Sequence, residues 1–355
     1  MAGEFSVLST RATRPPRPVA GYRYRLTITP ETPRAAIVGA GLMGRWHAHA
    51  ATRAGARIVA VVDTDRSAAA VLSARYPASR IASDLDELGG IATVAHVCTS
   101  VETHAATATT LLAAGLHVLV EKPLAASPGE TAALLEQAGA ADRLVCPVHQ
   151  FPFQRGVRKA LEALSTVGPV LHLDFVICTA GAAGEEARAS LVESVLPHPL
   201  SLVSAFLPGA LARLKWQVVR PHPGELRAVS ACGSATVSIL LSTSGRPTTN
   251  TVALICERGT ISVDLFHGFS VIEAGGVSRA RKITRPLARS AATLSAAAQN
   301  LIWRAARRQP AFPGLNELTA MFYEAVADGR PSPISPAEVL EIAVARQLIL
   351  NSGGV

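Results

Sequence analysis

The stretch "AAIVGAGLMGRWHAHA", Ala35 to Ala50, decides the fold. It begins as a short apolar strand and turns on glycine. It then continues as a helix that Gly55 ends. Gly39, Gly41 and Gly44 have the spacing of a dinucleotide-binding turn. In that turn the first glycine permits the sharp bend. The second lets the backbone approach a pyrophosphate, and the third lets the helix pack close to the sheet. Leu42 and Met43 start the helix, whose free N–H groups face an anion. A second apolar strand, "RIVAVVD", ends at Asp63. A carboxylate at that place accepts hydrogen bonds from ribose hydroxyls and disfavours a 2′-phosphate, so NAD is expected ahead of NADP.

Outward from this turn, strands and helices alternate. "RSAAAVLSARY" reads as a helix, "VAHVC" as a strand and "ETHAATATTLLAAG" as a helix. "LHVLVE" and "RLVCPV" read as the next strands, with a helix between them opened by a capping box at Ser127 to Glu130. This alternation predicts a doubly wound parallel sheet, a Rossmann domain over residues 34–150. Beyond residue 150 the strands lengthen and alternate in polarity. "TISVDLF" puts Ile261, Val263 and Leu265 on one face and Ser262 and Asp264 on the other. That pattern predicts a mostly antiparallel, open-faced sheet in an α+β domain over residues 151–355. Helices are expected at 153–168, 198–207, 286–308, 313–328 and 336–350, the last with a second capping box at Ser335 to Glu338. Residues 1–33, rich in Pro, Arg and Thr, read as a flexible basic tail.

Composition bounds the function. The 355 residues are 49% hydrophobic and 17% charged, a globular balance. No apolar run reaches the ~18 residues of a membrane span, and residues 1–33 lack the apolar core of a secretory signal. The five cysteines are scattered, without CxxC or zinc spacing, which fits reduced thiols in the cytoplasm and no metal. His47 and His49 are two apart on a helix and face different ways. The net charge of +8 is uneven: residues 1–33 carry +3, and residues 274–316 carry +8 with no acid. No nucleic-acid-binding fold or aromatic interleaving accompanies these arginines, so nucleic acid is not an expected partner. The basic segment 279–308 holds a helical stripe of Leu294, Leu301, Ile302 and Ala305. Two readings stand: a helix packing in an oligomer or between domains, or a helix meeting an anionic membrane surface or a phosphorylated glycan carrier.

Only four of the 34 basic side chains are lysines: Lys122, Lys159, Lys215 and Lys282. Lys122 follows an apolar strand and precedes a proline, where a partly buried lysine, unlike arginine, can exchange its proton. The surrounding residues resemble the glucose–fructose oxidoreductase/inositol dehydrogenase family (Gfo/Idh/MocA). The resemblance rests on Cys98-Thr99-Ser100, His104, Ala114-Gly115 and Glu121-Lys122-Pro123, with His47 three residues after Gly44. It implies an oxidoreductase that moves a hydride between NAD(P) and a secondary alcohol of a sugar-like substrate. It also implies a cofactor site including Thr99, Ser100, His104, Glu121 and Lys122, with Lys122 on the reacting hydroxyl. The family's partner histidine falls on His198, and Ser194 stands where the family has aspartate. Lys122 and His198 are the expected catalytic pair, with Gln150 and Ser194 also on the substrate.

The serine leaves three arrangements open. Glu193 reaches the site through a shifted backbone, since Pro197 and Pro199 bar an ordinary helix there. Alternatively, His198 works without a carboxylate and Lys122 carries more of the proton transfer, or catalysis is lost and the protein regulates by binding. An NAD-dependent hydrolase or epimerase on the same fold is a further alternative. A nucleotide-linked sugar is the first expected substrate, and a homo-oligomer (dimer or tetramer) is expected to cover the open sheet.

Overall fold

A computed structural model of the chain describes residues 32–179, 184–276, 278–309 and 311–352. The expected basic tail lies outside these residues, apart from Thr32 and Pro33.

The first sheet is parallel throughout, in the order β3-β2-β1-β4-β5-β6. Its strands are β1 (Arg34–Val38), β2 (Arg57–Val62), β3 (Arg80–Ile81), β4 (Val94–Val97), β5 (His117–Val120) and β6 (Val145–Pro147). Strands β1, β4 and β5 are buried almost throughout, because helices cover both faces. Those helices include α1 (Leu42–Arg53), α2 (Arg66–Ser73), α3 (Val101–Ala113) and α4 (Pro128–Ala140). Helix α2 is shorter than its sequence pattern: Ser79 Oγ accepts from or donates to Ser73 Oγ at 2.8 Å across the closing turn. Strand β3, two residues long, carries too little periodicity to be read from sequence.

The second sheet runs β13-β12-β11-β7-β10-β9-β8, antiparallel except between β7 (Val170–Cys178) and β10 (Ala235–Ser242). The other strands are β8 (Gln217–Val219), β9 (Glu225–Cys232), β11 (Thr249–Cys256), β12 (Gly259–Asp264) and β13 (Phe269–Ala274). Leu173 and Phe175 of β7 are fully buried, as are Val237 and Ile239 of β10. The residues that alternate with them on β7, His172 and Asp174, are exposed, so one face is packed and the other open. Helices α5 (Arg155–Val167), α6 (Glu185–Val195) and α7 (Pro197–Phe206) belong to this half. Helix α6 went unread because its polar composition gives no clear stripe. The prolines at 197 and 199 do not bar a helix. The chain breaks at Leu196, and Pro197 starts α7, where a missing N–H costs nothing.

Three helices close the chain: α8 (Arg279–Ala306), α9 (Leu315–Asp328) and α10 (Pro336–Asn351). Helix α8 starts seven residues before its expected first residue and carries Pro286 within it. Helix α9 returns to the first core, where Leu315, Leu318, Phe322 and Tyr323 pack with the β1–β6 residues. Helix α10 places Val339 in that core and Ile342, Ala345 and Ile349 in the other. Ser127 and Glu130 form the full capping box of α4. At α10 only half forms: Ser335 Oγ accepts from Glu338 N at 3.2 Å, while the Glu338 carboxyl turns to Ser204.

Two glycines of the first turn separate stability from binding. A β-carbon on Gly44 would lie 1.8 Å from the Gly39 carbonyl oxygen, whereas one on Gly41 would meet nothing within 4 Å. Gly44→Ala is expected to lose roughly 3 kcal/mol or more of stability. Gly41→Ala should leave the Tm unchanged and weaken dinucleotide binding. Thermal unfolding and a nucleotide titration on both variants check the contrast.

Candidate functional site

The Gly-rich turn is braced from two sides. Gly39 has φ +96° and donates its N–H to Val62 O at 2.8 Å. A β-carbon there would lie 2.6 Å from Cys98 O, so only glycine fits. Asp63 Oδ2 accepts from Ala40 N at 2.6 Å and Oδ1 from Asp65 N at 2.8 Å. The predicted ribose ligand therefore also fixes the turn. Gly41 is the N-cap of α1 and has no side chain to cap it. The space beside it and the unpaired first-turn N–H groups of Leu42, Met43 and Gly44 fit a pyrophosphate. Leu42 is 63% exposed at this mouth. On the facing loop, His104 Nδ1 lies 2.8 Å from Pro123 O and Nε2 3.1 Å from Thr99 O. His104 is buried and holds the Thr99–Ser100 loop against the Lys122–Pro123 turn, whose peptide bond is cis.

Beneath the turn runs a buried chain of four side chains. His47 Nε2 lies 3.0 Å from Glu121 Oε1, and His47 Nδ1 lies 3.0 Å from His96 Nδ1. His96 Nε2 lies 2.9 Å from the Tyr323 hydroxyl on α9. One assignment satisfies every atom. Tyr323 donates to His96 Nε2, His96 Nδ1–H donates to His47 Nδ1, and His47 Nε2–H donates to Glu121. Every donor then points at the carboxylate. Burial holds His96 well below the ordinary imidazole value, so it stays neutral, and burial pushes the Tyr323 hydroxyl up. Burial also pulls the Glu121 carboxyl upward, but the His47 hydrogen bond and the neighbouring Lys122 outweigh it and leave it below the usual value. His47 thus serves Glu121 rather than lining the cleft directly. His96 and Tyr323 were not singled out from sequence. The available signal was a histidine at the centre of an apolar strand, "VAHV".

Glu121 Oε2 accepts the Lys122 backbone N–H at 3.2 Å. Lys122 Nζ crosses between the domains and donates to Ser194 O at 3.0 Å. Burial lowers the lysine's pKa, with Glu121 opposing. His198 lies in the first turn of α7 and stacks on Phe151, with ring centroids 4.2 Å apart and planes at 10°. Its Nδ1 is buried without a partner among the described residues. Burial, with Lys122 and His149 adding to it, holds His198 well below the ordinary value; burial and Lys122 push His149 down to about 3.

Glu193 does not supply a carboxylate to His198. Its Oε2 pairs with Arg346 Nη2 at 3.6 Å, and the side chain is 51% exposed. The first of the three arrangements therefore fails, because α6 carries Glu193 round to α10. Ser194 turns its hydroxyl back to Leu191 O at 2.9 Å and presents only its carbonyl to Lys122.

A cavity of about 850 Å3 opens beside His198. Gln150, Phe151 and His198 form one wall, Asn250 and Leu265 a second, and Leu301 and Arg304 of α8 a third. Lys122 and Ser194 do not line it. Gln150 and Gln154, both buried, each leave the side-chain carbonyl oxygen unpaired, a demand for a ligand's hydroxyl or N–H. His267 also lines the cavity, with Nδ1 2.7 Å from Asp264 Oδ2. The Asp-x-x-His spacing was its signal. Among the described residues, no three His, Cys, Asp or Glu side chains are placed to hold a metal ion.

A family model described as "Oxidoreductase family, NAD-binding Rossmann fold" (GFO_IDH_MocA) matches residues 33–149. Inositol 2-dehydrogenase 1 of Saccharopolyspora erythraea is 34% identical over 149 residues, 39% of this chain. The match spans 44% of that protein, less than half its length. The fold is shared with UDP-N-acetylglucosamine 3-dehydrogenase GnnA from Acidithiobacillus ferrooxidans. There the TM-score is 0.69 at 17% identity, covering 90% of this chain and 97% of that one. It is also shared with a 3-ketoreductase from Actinomadura kijaniata solved with TDP-benzene and NADP. That match has a TM-score of 0.70 at 15% identity, covering 91% and 98% of the two chains.

The neutral histidines make stability depend on pH. His96, His149 and His198 have folded pKa values below the 6.5 of the unfolded chain. Below about pH 6.5 the unfolded state binds more protons, so stability falls on acidification by about 1.4 kcal/mol per pH unit for each such histidine. For His149 the loss continues to about pH 3. The Tm should drop between pH 7 and pH 5, and less steeply in His149→Gln; equal slopes for the two proteins would refute this. Separately, Tyr323→Phe strands the His96 acceptor and should cost roughly 1–3 kcal/mol by chemical denaturation.

Proposed function

We propose, on the premise that the chain belongs through residues 33–149 to the Gfo/Idh/MocA oxidoreductase family, that it oxidises or reduces a secondary alcohol of a sugar-like substrate. The bound nicotinamide dinucleotide supplies the hydride acceptor or donor. The observation that carries this reading is the bond from Lys122 Nζ to Ser194 O. It joins the lysine just past β5 to the last turn of α6, four residues before His198.

Lys122, outside the cavity wall but bonded to Ser194 O just ahead of His198, has its pKa lowered by burial and takes up the hydroxyl proton of a substrate that reaches past His198. His198 is neutral near pH 7 and, without a carboxylate, is a weak base. It orients the hydroxyl while Lys122 carries the proton, which is the second of the three arrangements. Phe151 fixes the imidazole plane. Gln150 and Gln154 accept from substrate hydroxyls, and apolar walls such as Phe151 and Leu265 exclude water. Arg304 and Arg308 on the cavity wall favour an anionic group, which supports a nucleotide-linked or otherwise phosphorylated sugar. The Asp63 carboxylate supports NAD over NADP. Five unpaired cysteines support the reducing cytoplasm, and no described helix is long and apolar enough to cross a membrane.

Lys122→Arg should retain nucleotide affinity and lose turnover by about 100-fold or more. Unchanged turnover would remove the lysine's role. Equilibrium titration should show tighter binding of NAD than of NADP, with the preference reduced in Asp63→Asn. Binding of neither nucleotide would overturn the dinucleotide reading.

A further inference from the structure

Helix α8 is amphipathic the wrong way round. Three of its cations turn toward the protein: Arg285 and Arg289 reach Glu273 at 3.1 and 3.7 Å, and Arg304 donates to His267 O at 3.0 Å. Arg307 lies over Trp303, 4.9 Å from the ring centroid. Asn300, buried, donates to His267 O from the same side. The opposite side carries the apolar residues. Ile283 is 79% exposed, Leu287 77%, Leu294 73% and Leu301 70%. A free surface of this size marks an interaction site.

We infer that this stripe pairs with the same stripe of a second copy of the chain, and that the pairing closes the cavity beside His198. Three observations choose this occupant. Leu287, Leu294 and Leu301 recur every seven residues, with Ile283, Ser290 and Ala297 at the alternate seam positions. That is the repeat of two helices in knobs-into-holes contact, and the small residues allow a close approach. No charged residue interrupts the stripe from Ile283 to Leu301, so two copies meet without like-charge repulsion. A helix lying on anionic lipid needs cations along both flanks of its apolar face, whereas along the middle of α8 Arg285 and Arg289 are drawn inward to Glu273 and the exposed Arg279 and Lys282 sit only at its start. Covering these leucines and Ile283 removes on the order of 400 Å2 of apolar surface per copy. The intervening alanines bring this toward the roughly 800 Å2 per partner of a standard interface.

The seam also reaches the cavity. Leu301 belongs to both the stripe and the wall, and Phe266, 57% exposed, lines the same side. A second α8 laid along Leu301 covers that opening. This consequence rests on the cavity being the substrate site proposed above; the pairing does not. Association and turnover are therefore read separately.

The experiment is sedimentation velocity over a micromolar concentration series on the wild type and Leu294→Arg. Nucleotide titration serves as the folding control. The expected result is an assembled wild type and a variant of half that mass, with nucleotide affinity unchanged. Leu294→Cys, near the middle of the stripe, should cross-link on mild oxidation where the wild type does not. A monomeric wild type, or a variant that keeps its assembly, overturns the inference. A monomeric wild type that sediments with phosphatidylglycerol vesicles, lost in Leu294→Arg, assigns the stripe to lipid instead. Loss of turnover without loss of assembly in Lys122→Arg concerns the proposed reaction and leaves the pairing intact.

Discussion

Helix α1 leaves β1 so closely that no β-carbon fits between Gly44 and the Gly39 carbonyl. Much of the site follows from this approach. Because α1 lies against the sheet, His47, one turn further on, reaches beneath it to Glu121 at the end of β5. Glu121 in turn fixes the backbone of Lys122. A wider turn would carry His47 away, leave Glu121 buried without its donor, and cost more than a neutral hydrogen bond. Pyrophosphate binding and lysine positioning thus share one constraint. Asp63 supplies the other brace, holding Ala40 from β2.

The charge pattern around Lys122 accounts for the tolerance of serine at position 194. A lysine among buried imidazoles raises the cost of protonating each of them, and His149 and His198 both feel it. A carboxylate beside His198 would offset that effect, but Glu193, the residue before Ser194, pairs with Arg346 instead. What remains is a neutral imidazole, held flat by Phe151. Orientation is preserved while basicity shifts to the lysine.

The parts legible in the sequence were those set by local geometry. The glycine spacing, Asp63, the Ser127 cap and the alternation of β12 all follow from neighbouring residues. The parts that were not legible depend on distant chain. Tyr323 completes the buried chain from 227 residues beyond His96. Arg346 captures Glu193 from 153 residues away. The periodicity of α8 disclosed a stripe, but its outward direction is set by Glu273 on β13. Helix α6 was hidden because its burial is slight, with Val192 its buried residue. Pattern reading recovers an element that has a clear inner face and misses one held mainly by its ends.

The return of α9 and α10 to the first core has a consequence for how the molecule is made. The residues that wall that core, Leu315, Leu318, Phe322 and Val339, are the last part of it to be synthesised. A nascent chain that has emerged as far as β6 presents α1 without its α9 neighbour and His96 without its tyrosine. The nucleotide-binding half, though it leaves the ribosome before α9 and α10, therefore cannot finish its hydrophobic face until those helices have been translated. Its maturation is tied to the synthesis of α9 and α10, unlike a domain that folds alone as it emerges.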